Sequence, residues 1–384
     1  METEWWQSRR DELLAMAGRG SPLYVFNEET LNEILFDLLS IDAVDRLFYP
    51  VHANPHPKIL RKAVEQGVGF RCISWNEMDL LLRDFPRLDP EHIVFFPAAA
   101  QDREFARAFD CGVHVVVYNL SAIRRRPDLF QDRRFFIRGD AGAHHREIGF
   151  TGTSIRGLYC SLKPDAPPVS GPDEMRPFLT EALVRFPDKP TLILGNGMEQ
   201  EMDREQAWVD VPGLDEYLDA VAHAYPRFNL WLELPHGMLA RAGVLITRVV
   251  EAGEEKGRRW IRINADMQSP IHNGRRGIYH GIVNLSRSDS NKTNSTTAII
   301  GQAGGPGNRI DFPDAPAVIQ EGDVLIFTNM GATGAEVSPE DECWKGFPQD
   351  YLHARSLCPV DIHEKQRMNH TEKQDNSPGR QDRE

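Results

Sequence analysis

The sequence predicts an α/β fold, a (β/α)8 TIM-type barrel followed by a second domain built only of strands. Two patterns carry this reading. Eight short apolar runs with amphipathic segments between them occupy residues 46–234, the alternation expected when parallel strands return through helices. Beyond "ELPHG" the apolar runs continue, but Gly and Pro punctuation replaces the helical segments. A barrel takes about 250 residues, so a chain of 384 leaves room for a further small domain.

Taken in order, residues 1–28, which include "SPLYVF", form a segment expected to join the β domain. The barrel is assigned to residues 29–237. Its strands are expected in "RLFYPV", "VGFRCI", "HIVFF", "VHVVVY", "RFFIRG", "IRGLYCSL", "TLILG" and "NLWLEL". Apolar residues recur at helical spacing in "PKILRKAVEQ", "WNEMDLLLRDF", "DREFARAF", "PDEMRPFLTEALVRF" and "GLDEYLDAVAHAY". An open, doubly wound sheet satisfies the same pattern, because a sequence does not display closure. Residues 238–345 are assigned to the β domain, where "VLITRVVEAGEEKGRRWIRIN" reads as a hairpin turning at Gly-Glu-Glu-Lys-Gly, followed by strands in "TTAIIGQA", "PAVI" and "DVLIFTN". Residues 346–384 form a C-terminal extension, disordered from about residue 364, where too few apolar side chains remain to offset the entropy of ordering.

Composition excludes several classes of function. A formal net charge of -13, with arginines interspersed among acids, does not offer the basic face that a nucleic-acid backbone requires. No apolar run approaches the length of a membrane span, and "METEWWQSRRDELLAMAGRG" lacks the order of a signal peptide, so a cytoplasmic protein without a membrane partner is expected. Five cysteines (Cys72, Cys111, Cys160, Cys343, Cys358) without a CxxC pair read as reduced thiols.

The ordered segments "SPLYVF", "FYPVHANPHPKILRKAVEQGVGFRCIS", "LWLELPHGMLARAGVLITRV" and "EGDVLIFTNMGATG" resemble the alanine-racemase-like (fold type III) decarboxylases that use pyridoxal phosphate (PLP), diaminopimelate decarboxylase first and ornithine decarboxylase further off. The resemblance spans about residues 20–340. It implies that the family's cofactor-linking lysine is replaced by His52, which cannot form a stable aldimine. It likewise places Arg71 at an acidic position, Tyr159 and Ser161 at two histidine positions, His236 at an arginine, Gly304 at a cysteine and Thr333 at a tyrosine. The phosphate loop corresponds to "LGNGMEQ", which keeps Gly195 and Gly197 around Asn196. Glu233 matches the partner of the pyridinium nitrogen, Glu77 a family acid and Arg138 an arginine of the fifth strand. Losing two or three charged hydrogen bonds to a phosphate costs roughly 3–9 kcal/mol, or roughly two to six orders of magnitude in affinity. Covalent PLP is therefore not expected, whereas non-covalent PLP or a divalent metal stays open. The resemblance also implies a homodimer and a small amino-acid-like ligand.

A closed barrel brings its first and last strands together, so His52, Glu233 and His236 are expected at one mouth, where two imidazoles and a carboxylate suit a divalent metal or acid–base work. Glu77 and Tyr159 complete the candidate catalytic set with His52 and His236. The plainer alternative is that both histidines are hydrogen-bonded replacements lining a cavity. His144 and His145 in "GAHHREIGF" read as polar loop, Met198 and Trp231 as core, and "GGPG" as a turn, since no helix follows it. Three functions follow: a repurposed enzyme acting on a small amino-acid-derived molecule, a non-catalytic homologue, or a PLP decarboxylase whose lysine has moved to Lys163.

Overall fold

The structure, a computed structural model, describes residues 4–97, 99–118, 121–139, 155–161, 179, 189–195, 211–265, 280–287, 296–302, 308–313, 315–332 and 349–353, with the backbone alone at Ser161, His236 and residues 349–353. After β1 (Leu23–Asn27), eight parallel strands close a barrel: β2 (Arg46–Pro50), β3 (Gly69–Cys72), β4 (Ile93–Phe95), β5 (His114–Val117), β6 (Phe135–Arg138), β7 (Ile155–Ser161), β8 (Thr191–Gly195) and β9 (Asn229–Glu233). Closure is made where β2 pairs with β9, with Phe48 opposite Glu233. The open-sheet alternative is thereby set aside.

Alternation along the strands sorts side chains into two layers. Phe48, Val94, Phe96, Val116, Phe136, Tyr159, Ile193 and Trp231 fill the barrel interior. Their neighbours in sequence, such as Leu47, Tyr49, Phe70, Val115 and Leu192, face the helices. Glu233, Gly195 and Arg138 each lie two residues beyond an interior residue (Trp231, Ile193, Phe136). They therefore occupy the same inward face one layer nearer the C-terminal mouth, where barrel active sites are built.

Local chemistry sets the helix starts around that mouth. His56 caps the helix Pro57–Glu65 by accepting from the Lys58 N–H (3.3 Å), and Pro57 suits the first helical position. Ser74 caps Trp75–Asp84 through the Glu77 N–H (3.3 Å). Gly112 ends the helix Asp102–Cys111 with a positive φ of 76°, a conformation that needs no Cβ.

The opposite end is sealed by polar groups packed on Trp231. Arg46 and Arg156 lie 5.1 and 5.8 Å from its ring. Arg156 also donates to His114 Nδ1 at 3.1 Å. Burial, and then Arg156, push that imidazole down to about 4, so it stays neutral.

The second sheet runs in the order β12 (Ile282–Asn284), β15 (Val324–Phe327), β10 (Gly243–Glu255), β11 (Arg258–Ile263), β13 (Thr297–Ile300), β14 (Arg309–Phe312), with β1 pairing antiparallel to β10. Three details differ from expectation. The β10–β11 hairpin turns on two residues, Lys256 and Gly257, both with positive φ, and the paired strands run on through Gly253, which faces Trp260. "PAVI" is not a continuous strand: Pro316 makes a single bridge, the Pro316 and Ala317 carbonyls accept from Arg259, and that of Val318 accepts from Asn284. A strand β16 (Gln349–His353), which no apolar run signals, pairs parallel with β1. Residues beyond 353, including the stretch expected to be disordered, lie outside the described residues.

A Cβ at Gly157 would collide with the Thr191 backbone on β8, whereas one at Gly18, in the helix Arg10–Arg19, meets nothing. Gly157→Ala is expected to lower the urea midpoint by the equivalent of ~2 kcal/mol or more, and Gly18→Ala to raise it by about 1 kcal/mol. Chemical denaturation of both variants checks the pair.

Candidate functional site

At the mouth of the barrel His52, Arg71, Tyr159 and Glu233 are all buried. His52 sits in a single 3-10 turn, Val51–Ala53, that continues β2. The following residues pin the turn: Tyr49 donates to the Asn54 carbonyl (2.8 Å), Asn54 Nδ2 donates to the Gly331 carbonyl of the β domain (2.9 Å), and the His56 N–H donates to Asn54 Oδ1 (3.1 Å). Both domains therefore fix where the imidazole stands.

Arg71 is the centre of the group. Its Nη1 lies 3.4 Å from both His52 nitrogens and 3.4 Å from Glu233 Oε1. Hydrogen-bond axes of the two ring nitrogens diverge, so a donor equidistant from both packs against the imidazole instead of donating along either axis. The guanidinium also lies 5.2 Å from the Phe96 ring centroid. Burial lowers the pKa of Arg71, but Glu233 first, then Tyr159 and Glu77, more than offset it, and the group stays charged.

Glu233 is held from two sides. Tyr159 donates to Oε2 at 2.5 Å while Arg71 faces Oε1. Burial, then Glu233, push the Tyr159 hydroxyl well up, so it keeps its proton and serves as a donor. Phe96 packs on the phenol ring at 4.3 Å between centroids. Gly195 is required by this arrangement, because a Cβ there would enter the space of Glu233 Oε2 and lie 2.6 Å from the Tyr159 hydroxyl.

Glu77 stands behind this group, on the helix after β3, with Oε2 accepting the Ile73 N–H at 2.9 Å. Burial pushes its carboxyl up to about 7, against the lowering by the Ile73 N–H and Arg71, with Glu233 adding to the rise. Arg138, opposite Tyr159 in the β6–β7 register, stacks 4.4 Å from the Tyr118 ring centroid. The backbone of His236 opens a short helix, His236–Ala240, directly after β9. Its side chain, and Gly197, Asn196, Lys163, His144, His145, Met198, Gly304 and Thr333, lie outside the described residues.

The structure thus brings together His52, Tyr159, Glu233 and Gly195 of the sequence-derived set, sets Glu77 one layer behind, and places Arg138 on the neighbouring strand. Arg71, although aligned with a family acid, was absent from the expected catalytic and binding set. Its signal was a lone charge inside the apolar run of a central parallel strand, a position that faces no water. Among the described residues no group of three His, Cys, Asp or Glu side chains could hold a metal ion, and a guanidinium against the His52 ring disfavours a second cation there. Among the described residues the buried group also contains no primary amine, and its carboxylate has one oxygen bonded to Tyr159 and the other facing the Arg71 guanidinium. As arranged, it does not fit a lysine-linked PLP.

Comparison with known proteins places this geometry. Residues 39–157, which include His52, Arg71 and Glu77, match the pyridoxal-binding domain of the pyridoxal-dependent decarboxylases. A diaminopimelate decarboxylase of Deinococcus radiodurans is 25% identical over 370 residues, covering 89% of this chain and 95% of that one. The chain is thus similar to the pyridoxal-dependent decarboxylases, through this domain and over most of its length. Similar solved structures include a diaminopimelate decarboxylase from M. jannaschii in complex with L-lysine (TM-score 0.73, 18% identity, 91% of each chain). Another is a lysine/ornithine decarboxylase from Vibrio vulnificus complexed with putrescine (TM-score 0.72, 16% identity, 90% of this chain and 99% of that one). No helix among the described residues is long and apolar enough to cross a membrane.

The raised Glu77 pKa sets a pH dependence of stability. A carboxyl held above its unfolded value favours the protonated folded state, so its contribution is full below pH 4.5 and is lost as pH rises towards 7. Glu77→Gln keeps an acceptor for the Ile73 N–H but does not titrate. Its stability relative to the parent is expected to rise between these pH values by up to ~3 kcal/mol and then level off, as read by denaturant titration at a series of pH values.

Proposed function

We propose that this decarboxylase-like chain has lost lysine-linked PLP chemistry and binds or transforms a small amino-acid-derived molecule at the barrel mouth. One observation carries the reading: Glu233, the residue aligned with the family's pyridinium partner, has one oxygen bonded to Tyr159 and the other facing Arg71, while position 52 offers an imidazole. A cationic guanidinium thus stands where a cofactor cation would otherwise neutralise that carboxylate. L-lysine and putrescine, named with the neighbouring structures, support the ligand class. Within this reading Glu77, with a pKa of about 7, is the group best matched to exchange a proton at neutral pH. Tyr159 positions Glu233, and His52 forms the wall opposite it. A homodimer belongs to the same reading and is supported by resemblance alone.

Incubation with PLP, borohydride reduction and peptide mapping test the loss directly. No stoichiometric lysine adduct is expected in the natural chain, and His52→Lys alone is expected not to acquire one, because Arg71 still faces Glu233. A single adduct at Lys163 would replace this reading with a relocated-lysine decarboxylase. An adduct at position 52 of the variant would show that the cofactor cradle persists.

A further inference from the structure

Arg71 is left with unused hydrogen-bonding capacity in a place where that is costly. A guanidinium carries five N–H donors and cannot shed its charge. Here the residue is 5% exposed, its Nε has no hydrogen-bond partner, and its Nη1 contacts are all 3.4 Å. Those contacts are longer than the 2.7–2.9 Å of a well-formed charge-assisted bond (roughly, as a typical range). Glu233 Oε1, itself on a residue 2% exposed, is likewise without a hydrogen-bond partner. A pair built only to hold the fold would close these distances or give way to apolar packing, which is often at least as stable. Two buried, incompletely used groups of opposite charge side by side at a barrel mouth describe a receptor for a molecule carrying both an oxyanion and a donor.

We infer that Arg71 is the anchor for a ligand carboxylate, so that the mouth recognises the carboxylated amino acid and discriminates against the amine that remains when the carboxylate is absent. This rests on the barrel-mouth reading above and adds to it the residue and the group recognised. The planar fork of a guanidinium matches the two oxygens of a carboxylate, and Oε1 of Glu233, which faces Arg71 without a hydrogen bond, accepts from an ammonium on the same small molecule. Phe96, whose ring lies 5.2 Å from the guanidinium carbon, covers one side of the group with apolar surface. Tyr159 holds the other oxygen of Glu233, so that Oε1 meets the Arg71 guanidinium across 3.4 Å and keeps its hydrogen-bonding capacity unfilled.

Isothermal titration of the full-length chain with matched pairs tests this: L-lysine against cadaverine, L-ornithine against putrescine, and L-alanine against ethylamine. Each pair differs by one carboxylate. In at least one pair the acid is expected to bind roughly tenfold or more tightly than the amine, the worth of a charged hydrogen bond. Arg71→Lys retains the cation beside Glu233 but not the fork, and is expected to bring that ratio below about threefold. If the variant fails to fold, judged by circular dichroism, the ratio in the natural chain decides alone. Equal or tighter binding of the amines, no binding by any acid, or a preference that survives Arg71→Lys overturns the inference. Amines that bind the natural chain but not Glu233→Gln, without any acid preference, would leave the mouth as a binding site and remove only the carboxylate claim. Failure of every acid and amine to bind would count against both.

Discussion

A buried ion pair between Arg71 and Glu233 organises the mouth of this barrel. An arginine inside a protein stays charged, and taking it out of water costs several kcal/mol unless an opposite charge is held close. Glu233 supplies that charge from the end of β9, on the far side of β2 from β3. Its position then fixes three others: Tyr159 as donor to the second oxygen, Gly195 as the residue with no side chain to intrude, and Phe96 as the aromatic wall shared by phenol and guanidinium. Each follows from satisfying or accommodating one carboxylate.

The scaffold makes such a group possible by separating rigid packing from the polar layer. Interior residues of one strand face fill the barrel to the level of Trp231, whose far side is closed by Arg46, Arg156 and a neutral His114. Polar side chains can therefore gather at only the opposite end without meeting water from below. The β domain takes part through Gly331, whose carbonyl holds Asn54 and with it the turn bearing His52. A change in how the two domains pack would move the imidazole relative to Arg71, so interdomain geometry and site geometry are one constraint.

Much of this fold was legible because strand length and alternation are properties of short windows. All eight barrel strands fall within the apolar runs read from the sequence; His52 and Glu233 were placed at one mouth because the first and last strands of a closed barrel meet, and Tyr159 through the family resemblance. Closure was not legible, since it is made by β2 meeting β9 across the length of the barrel. The role of Arg71 was missed for a related reason: the sequence shows a charge in an apolar run, but its partner lies 162 positions away on another strand. The strand at Gln349–His353 was missed because its pairing with β1 is a backbone matter that leaves no apolar signature. The expected five-residue turn failed because glycine at 253 serves the Trp260 ring across the hairpin, and only Lys256 and Gly257 make the turn.

The pairing of Arg71 with Glu233 is most directly tested by a double-mutant cycle on unfolding free energy, using Arg71→Met, Glu233→Gln and the combined variant. Side chains in contact through one buried pair should show a coupling of about 1–3 kcal/mol, with the double variant less destabilised than the sum of the singles because neither leaves a charge stranded. Additive effects, within about 0.5 kcal/mol of zero coupling, would mean that the two groups do not meet and that the mouth is organised in some other way.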